Sequence, residues 1–280
     1  MRLDRRVAEL ANISRSAVRR LLDASAVRLN GRIARPADAG RDVADSDVVT
    51  WDLAALRPGP PDASLPEPRI LQRTGDAIVC DKPAGLPVHP LRPDETDTLL
   101  HRVARLDPAV FADMGEGPLR GGTVHRLDVG TSGCVVFARH PAAWRSLRDA
   151  FVTRAATKHY VAVVAGEPPP PGRLEAWLAV TRHRPARVGV VDAAARGARR
   201  CDLTVGAAVV EPASPGRWRL PIELGTGFLH QIRVMLAERG APIVGDPLYG
   251  VPADDGVMRL HAAAIAIPAA GIDAACPPLW

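Results

Sequence analysis

Lysine is almost missing from this chain. Of its 36 basic residues only Lys82 and Lys158 are lysine, and the rest are arginine. Paired cysteines are missing too: Cys80, Cys134, Cys201 and Cys276 lie far apart with no CxxC, which argues against a disulfide framework or a zinc ribbon. The eight histidines are scattered without an HExxH pattern, so no protein-bound metal is expected. No run approaches twenty apolar residues, which argues against a membrane-spanning helix. Arg2, Asp4, Arg5 and Arg6 precede any apolar run and no signal-peptide core follows, so the cytoplasm is the expected location.

What is present is a chain of 280 residues, 47% hydrophobic, with a formal charge of +5. That length suits one large domain, or a large domain with a small partner, and the apolar content is enough for a buried core. Part of the arginine bias fits a G+C-rich genome. Arginine forks also suit phosphates and stack on bases, so net charge alone decides little.

Residues 1–55 read as a small unit. Ser14 is placed to cap a helix whose apolar face is Ala17, Val18, Leu21 and Leu22, with Arg15, Arg19 and Arg20 largely off that face. Asn30-Gly31 between Val27-Arg28-Leu29 and Arg32-Ile33 predicts a two-residue hairpin, and Asp47–Trp51 a closing strand. Residues 56–68 hold five prolines and one glycine and read as a stiff linker. From 69 to 280 strands and helices are mixed rather than alternating, which predicts an α+β class. Ala77–Cys80, Cys134–Ala138, Lys158–Val164 and Trp218–Leu224 read as strands, with a turn at Asp81–Gly85. Leu260–Ile267 is expected to close the sheet. Helices are expected over Thr98–Leu106, Pro141–Arg154 and Phe228–Arg239, the last with Ile232, Met235 and Leu236 facing inward and Gly240 ending it.

Two segments carry most of the chemical information. In His125-Arg126-Leu127-Asp128-Val129-Gly130-Thr131-Ser132-Gly133, an acid sits between a basic entry and a Gly-Thr-Ser-Gly turn, either aimed at a ligand or capping the turn. In Thr226–Arg233, His230 and Arg233 are three apart and project to one side of a helix, as site residues or as a solvated face.

Together with Asp81-Lys82-Pro83-Ala84-Gly85, Lys158-His159-Tyr160, Gly245-Asp246-Pro247-Leu248-Tyr249-Gly250 and Leu260-His261-Ala262, these segments resemble, in the same order, the RluA-type RNA pseudouridine synthases. The resemblance covers roughly residues 68–280. Residues 1–53 resemble the alpha-L RNA-binding motif, found also in a ribosomal small-subunit protein. The resemblance implies a mixed, mainly antiparallel central sheet with flanking helices and a catalytic cleft, behind a small N-terminal α/β RNA-binding domain. It also implies an isomerase acting on uridine in ribosomal or transfer RNA, with RNA as partner. An isomerisation that loses no group and oxidises nothing needs no cofactor, no metal or membrane is expected, and a monomer is the default for an enzyme that must wrap a large RNA.

By the same resemblance Asp128 matches the essential aspartate, Tyr160 the tyrosine packed by the target base, and Arg233 the arginine paired with the aspartate, to which a guanidinium can bond with one nitrogen or two. Phe228 stands where an arginine is usual, and Gly130 where many members have aspartate. Asp128 then either attacks the anomeric carbon or assists formation of a glycal. Tyr160 packs against uracil, and its hydroxyl is a weaker candidate for taking the carbon-5 proton. Arg126 and His125 are candidates to fill the space of an everted base or to hold a flanking phosphate, or else to brace the loop. Lys82 is counted with the RNA contacts, and His89 is expected in the same cleft. Lys158 is expected as a brace or phosphate contact and His230 as a structural histidine. Arg15, Arg19, Arg20 and Arg28 form the expected phosphate-binding set of the N-terminal unit. Two other readings compete: a non-catalytic RNA-binding or ribosome-associated protein on a retired synthase fold, and a uridine-directed glycosidase, the latter disfavoured by the lone carboxylate.

Overall fold

Two helices and three short strands enclose a hydrophobic cluster at the start of the chain, seen in a computed structural model that describes every residue except Glu116, Pro118, Arg184, Pro212, Ala213 and Pro215. Helix α1 spans Leu3–Ala11 and α2 spans Arg15–Asp23, with Ser14 accepting a capping hydrogen bond from the Ala17 N–H. Strands β1 (Val27–Leu29) and β2 (Arg32–Ile33) pair antiparallel. Asn30 and Gly31 both take positive φ (51° and 79°), as a type I′ turn requires. Strand β3 (Val49–Trp51) lies on the other side of β1. Leu3, Val7, Leu21, Leu22 and Val27 meet inside, and Leu56 closes the cluster. Residues 57–68 contain no helix or strand.

The remainder is built on a sheet of eleven strands among the described residues. These are β4 (Arg69–Arg73), β5 (Ala77–Lys82), β6 (Ser132–Ala138), β7 (Thr157–Ala165), β8 (Gly172–His183), β9 (Ala186–Val190), β10 (Arg199–Val205), β11 (Val209–Val210), β12 (Arg217–Leu224), β13 (Leu260–Ile267) and β14 (Ile272–Ala275). The spatial order is β4-β5-β6-β13-β7-β12-β10-β8-β9, with β11 on β12 and β14 on β13. All pairings are antiparallel except β6 with β13. Helices α3 (Leu99–Leu106), α4 (Pro141–Val152) and α5 (Gln231–Ala237) complete an α+β fold. Alternation along the strands feeds two cores. Ile78, Cys80, Val135 and Phe137 join the cluster that includes α3 and α5, while Ala77, Val79, Cys134 and Val136 join Leu147 of α4 on the opposite face. Among the described residues no helix is long and apolar enough to cross a membrane.

Three expectations need correction. Leu260–Ile267 does not close the sheet; it lies in its middle, between β6 and β7. An apolar run reports burial on both faces but not which neighbours a strand takes. The C-terminal helix begins at Gln231 rather than Phe228, because His230 adopts a left-handed conformation (φ 53°, ψ 19°). The Gln231 amide holds the preceding turn, accepting from Thr226 Oγ1 and the Phe228 N–H. Strand β5 runs on through Asp81 and Lys82, where a turn was expected, and Lys82 pairs with Gly133 of β6.

Candidate active site

The loop carrying Asp128 is fixed at both ends. On the entry side the His125 ring stacks on Phe151 at 4.6 Å, and its Nε2 accepts from the Val136 N–H at 3.0 Å. Leu127 is buried in the larger core. On the exit side the Thr131 N–H closes a turn onto the Asp128 carbonyl, and Ser132 Oγ shares a hydrogen bond with His261 Nδ1 at 2.8 Å. Gly133 then runs so close to β13 that a Cβ there would lie 2.2 Å from the Ala262 carbonyl oxygen, at a φ of +110° that favours glycine. The parallel β6–β13 contact therefore needs glycine at 133.

Asp128 points inward. Its Oδ2 accepts from Arg233 Nη1 at 2.8 Å, and His230 Nε2 lies 4.0 Å away. The side chain does not cap its own turn. Arg233 makes its bidentate pair with Asp246 instead: Nε and Nη2 donate to it at 2.7 and 2.8 Å, leaving one nitrogen for Asp128. The Asp246 carboxylate is fully buried and also accepts from the N–H groups of Leu248 and Tyr249. Burial works against ionisation of Asp246, yet Arg233 and those two amides outweigh it and hold its pKa below the ordinary value. Burial likewise opposes the Arg233 charge, and the two carboxylates reverse the sign, raising its pKa above the arginine norm. One guanidinium is thus clamped by a buried aspartate and presented to a second one at a cavity wall.

Burial, with the charges of Arg233 and Arg126, lowers the His230 pKa against the pull of Asp128 and Asp246. Its Nδ1 shares a hydrogen bond with the Tyr249 hydroxyl at 2.9 Å, and that hydroxyl accepts from the Val188 N–H at 2.7 Å. Tyr249 therefore ties β9 to the site. Tyr160 sits on β7 between Ile222 of β12 and Ala262 of β13, and it is buried. Burial first, and the Asp128 charge second, push its phenol pKa upward. A phenol that resists ionisation suits packing against a ring better than taking a proton.

Asp128, Tyr160, Arg233, Phe228 and Leu260 share the wall of a cleft of about 330 Å³. Arg120, Arg126, Arg148 and Lys158 line the same cleft and make it basic. Arg126 is exposed at its mouth. Phe228 is half-buried against the larger core and lines the cleft. His89 is buried, as expected, at the cleft.

Several of the expected RNA contacts have partners within the protein. Lys82 is fully buried, and its Nζ donates to the carbonyls of Pro83, Leu86 and Val129 at 3.0, 2.7 and 3.0 Å. It ties the loop after β5 to the Asp128 loop. Burial pulls its pKa down to about 7, with the Asp128 charge opposing. His125 braces the loop: burial, then Lys158 and Arg148, bring its pKa down to about 3, so it carries no charge for a phosphate. Lys158 lines the cleft half-buried, its pKa lowered first by burial. In the N-terminal unit Arg15 is engaged by the buried Asp4 at 2.6 Å and bridges α2 to α1. Arg19 and Arg28 are exposed, Arg28 donating to the Gly31 carbonyl; Arg20 is half-buried. None of these four lines the cleft.

Asp246 and Tyr249 carry no role at the level of sequence. The signal for them was the Gly245–Gly250 segment, whose place in the resemblance said that it mattered but not how.

Known proteins bear on this arrangement. A model of the RNA pseudouridylate synthase family matches residues 76–238. An uncharacterized RNA pseudouridine synthase of Chloroflexus aurantiacus is 35% identical over 252 residues, covering 89% of this chain and 75% of that protein. A ribosomal large subunit pseudouridine synthase D of Xanthomonas campestris is 34% identical over 254 residues, covering 89% of this chain and 71% of that protein. Among solved structures, human RNA pseudouridylate synthase domain containing 1 has the same fold, with a TM-score of 0.58 and 23% identity over 78% of this chain and 86% of that one.

Proposed function

The chain belongs to the RNA pseudouridylate synthase family and is an RNA pseudouridine synthase, and from that premise we propose that Asp128 is the carboxylate on which its reaction depends. Isomerising uridine breaks the bond between ribose C1′ and uracil N1, turns the base, and forms a bond from C1′ to C5. The C5 proton leaves and N1 gains one, so atoms and electrons balance without an oxidant or a second substrate. The protein has to supply charge stabilisation, positioning and proton handling.

The observation that carries the proposal is the 2.8 Å hydrogen bond from Arg233 to Asp128, made by a guanidinium whose other face is locked on the buried Asp246. A carboxylate held this way keeps one direction and one rotamer. Attack at C1′ and assistance of glycal formation both use it in the same place. Tyr160 packs against the uracil, and Leu260 lines the same wall. The mouth arginine Arg126 takes the flanking phosphate or the space left by the everted base.

The substrate proposed is ribosomal RNA, in line with the names of relatives such as the Xanthomonas campestris protein. The N-terminal unit, residues 1–55, is proposed to be an alpha-L type RNA-binding domain joined by the linker 56–68 to a catalytic domain, 69–280. Its exposed Arg19 and Arg28 are the phosphate contacts, and replacing both with alanine flattens the salt dependence of RNA binding. A cytoplasmic monomer completes the reading. The test is to treat total RNA from cells lacking the protein with wild type and with Asp128→Ala, then map pseudouridine chemically. The wild type installs it at defined uridines in ribosomal RNA, and the variant installs none while still binding RNA within a few-fold. Modification confined to transfer RNA overturns the choice of substrate, and modification by the variant overturns the role of Asp128.

A further inference from the structure

A second cavity, of about 620 Å³, opens on the other side of Asp128. It shares His89, Arg126, Leu127, Asp128, His230 and Arg233 with the cleft, so the two spaces meet at the candidate carboxylate. Its character is different. Pro87, Val88, Leu91, Val129, Pro247 and Met258 supply an apolar lining, and Asp128 is the one carboxylate among its lining residues. Leu91 and Val129 are 63% and 50% exposed, so their side chains present apolar surface to solvent instead of to a core. At Gly130 Met258 occupies the adjacent space, with its Cε 3.2 Å from where a Cβ would stand.

We propose that this cavity receives the nucleobase next to the target uridine. The inference rests on the assignment of Asp128 and the cleft made above. A nucleotide whose sugar reaches Asp128 and whose base lies against Tyr160 has left its stack, and the base beside it has lost a stacking face. Proteins take up such bases on apolar surfaces and guanidinium planes. Here an apolar hollow adjoins the carboxylate, and Arg126 stands exposed at the boundary, where the phosphate between the two nucleotides has to pass. Any other acid in the lining would repel that phosphate. The neighbouring β8–β9 hairpin reaches the same hollow through Ala186, and Arg187 of that hairpin donates to the Leu248 carbonyl at 2.7 Å, so the wall is fastened to the segment that holds Asp246.

The test uses an RNA fragment carrying a site that wild type has been shown to modify. 4-Thiouridine is placed on each side of the target in turn, the complex with Asp128→Asn is irradiated, and the attached peptide is identified. One of the two flanking positions is expected to crosslink to residues 84–91, 129 or 256–258. Crosslinks only to other segments overturn the proposal. In parallel, an abasic nucleotide at that flanking position is expected to raise KM roughly tenfold with little change in kcat. Leu91→Ala, which trims apolar surface at an exposed position without adding charge, is expected to raise KM on the intact fragment but not on the abasic one. An unchanged KM with the abasic fragment, at a site that wild type modifies, overturns the cavity assignment alone. A wild type that forms no pseudouridine in any RNA overturns the underlying reading, and this one with it.

Discussion

Two arginine–aspartate pairs in this molecule look alike in chemistry and differ in everything else. In the N-terminal unit Arg15 meets Asp4 at 2.6 Å, with the arginine side chain 60% exposed. At the sheet, Arg233 meets Asp246 at 2.7 Å with the arginine 6% and the aspartate 0% exposed. Water screens the first pair and leaves it as a tether between two helices. Around the second there is almost no water to screen or replace it, so the guanidinium stays where the protein puts it, and a third group, Asp128, is built on top. A salt bridge becomes part of a site when burial removes its freedom and a further polar group is left facing a cavity.

The sharpest way to break this contrast is to unseat the buried pair. Asp246→Asn leaves Arg233 without its anchor, and destabilisation of about 3–5 kcal/mol is expected, read from denaturant unfolding, together with loss of pseudouridine formation. Acid should act on the same region. His125 is held neutral, with its pKa lowered from 6.5 to about 3, so below about 6.5 the unfolded chain binds a proton that the folded chain refuses. Stability is therefore complete above pH 6.5 and falls as the pH drops toward 3. His125→Gln, which keeps an acceptor for the Val136 N–H, should flatten that part of the profile. Lys82→Met removes the donor for three carbonyls under the Asp128 loop and is expected to destabilise by about 1–3 kcal/mol, seen in thermal unfolding. Smallest is Arg15→Ala, expected to change stability by less than about 1 kcal/mol. A loss there as large as that of Asp246→Asn would erase the distinction between the two pairs.

Local features were legible in the sequence. The Asn30-Gly31 hairpin and the Ser14-capped helix are set by neighbours along the chain, and both are where the residues place them. The Asp128 loop and Arg233 were legible as ordered motifs. The rest depends on contacts between distant segments. Nothing in the spacing of Arg233 and Asp246 says that both nitrogens on one edge of the guanidinium go to Asp246 and only one to Asp128. The run Leu260–Ile267 shows burial but not that β6 and β7 flank it. Strands β8 and β10 went unread because exposed positions interrupt their apolar residues and leave no apolar run. Lys82 read as an RNA contact beside a turn, and only the fold shows three carbonyls closing over it.

The most direct measurement is the single-turnover rate of Asp128→Asn on an RNA that wild type modifies. The substitution keeps the shape of the side chain and removes its charge, so folding and RNA binding are expected to remain within a few-fold of wild type. No pseudouridine should form on the timescale of many wild-type turnovers. A rate close to that of wild type would show that the reaction does not depend on this carboxylate.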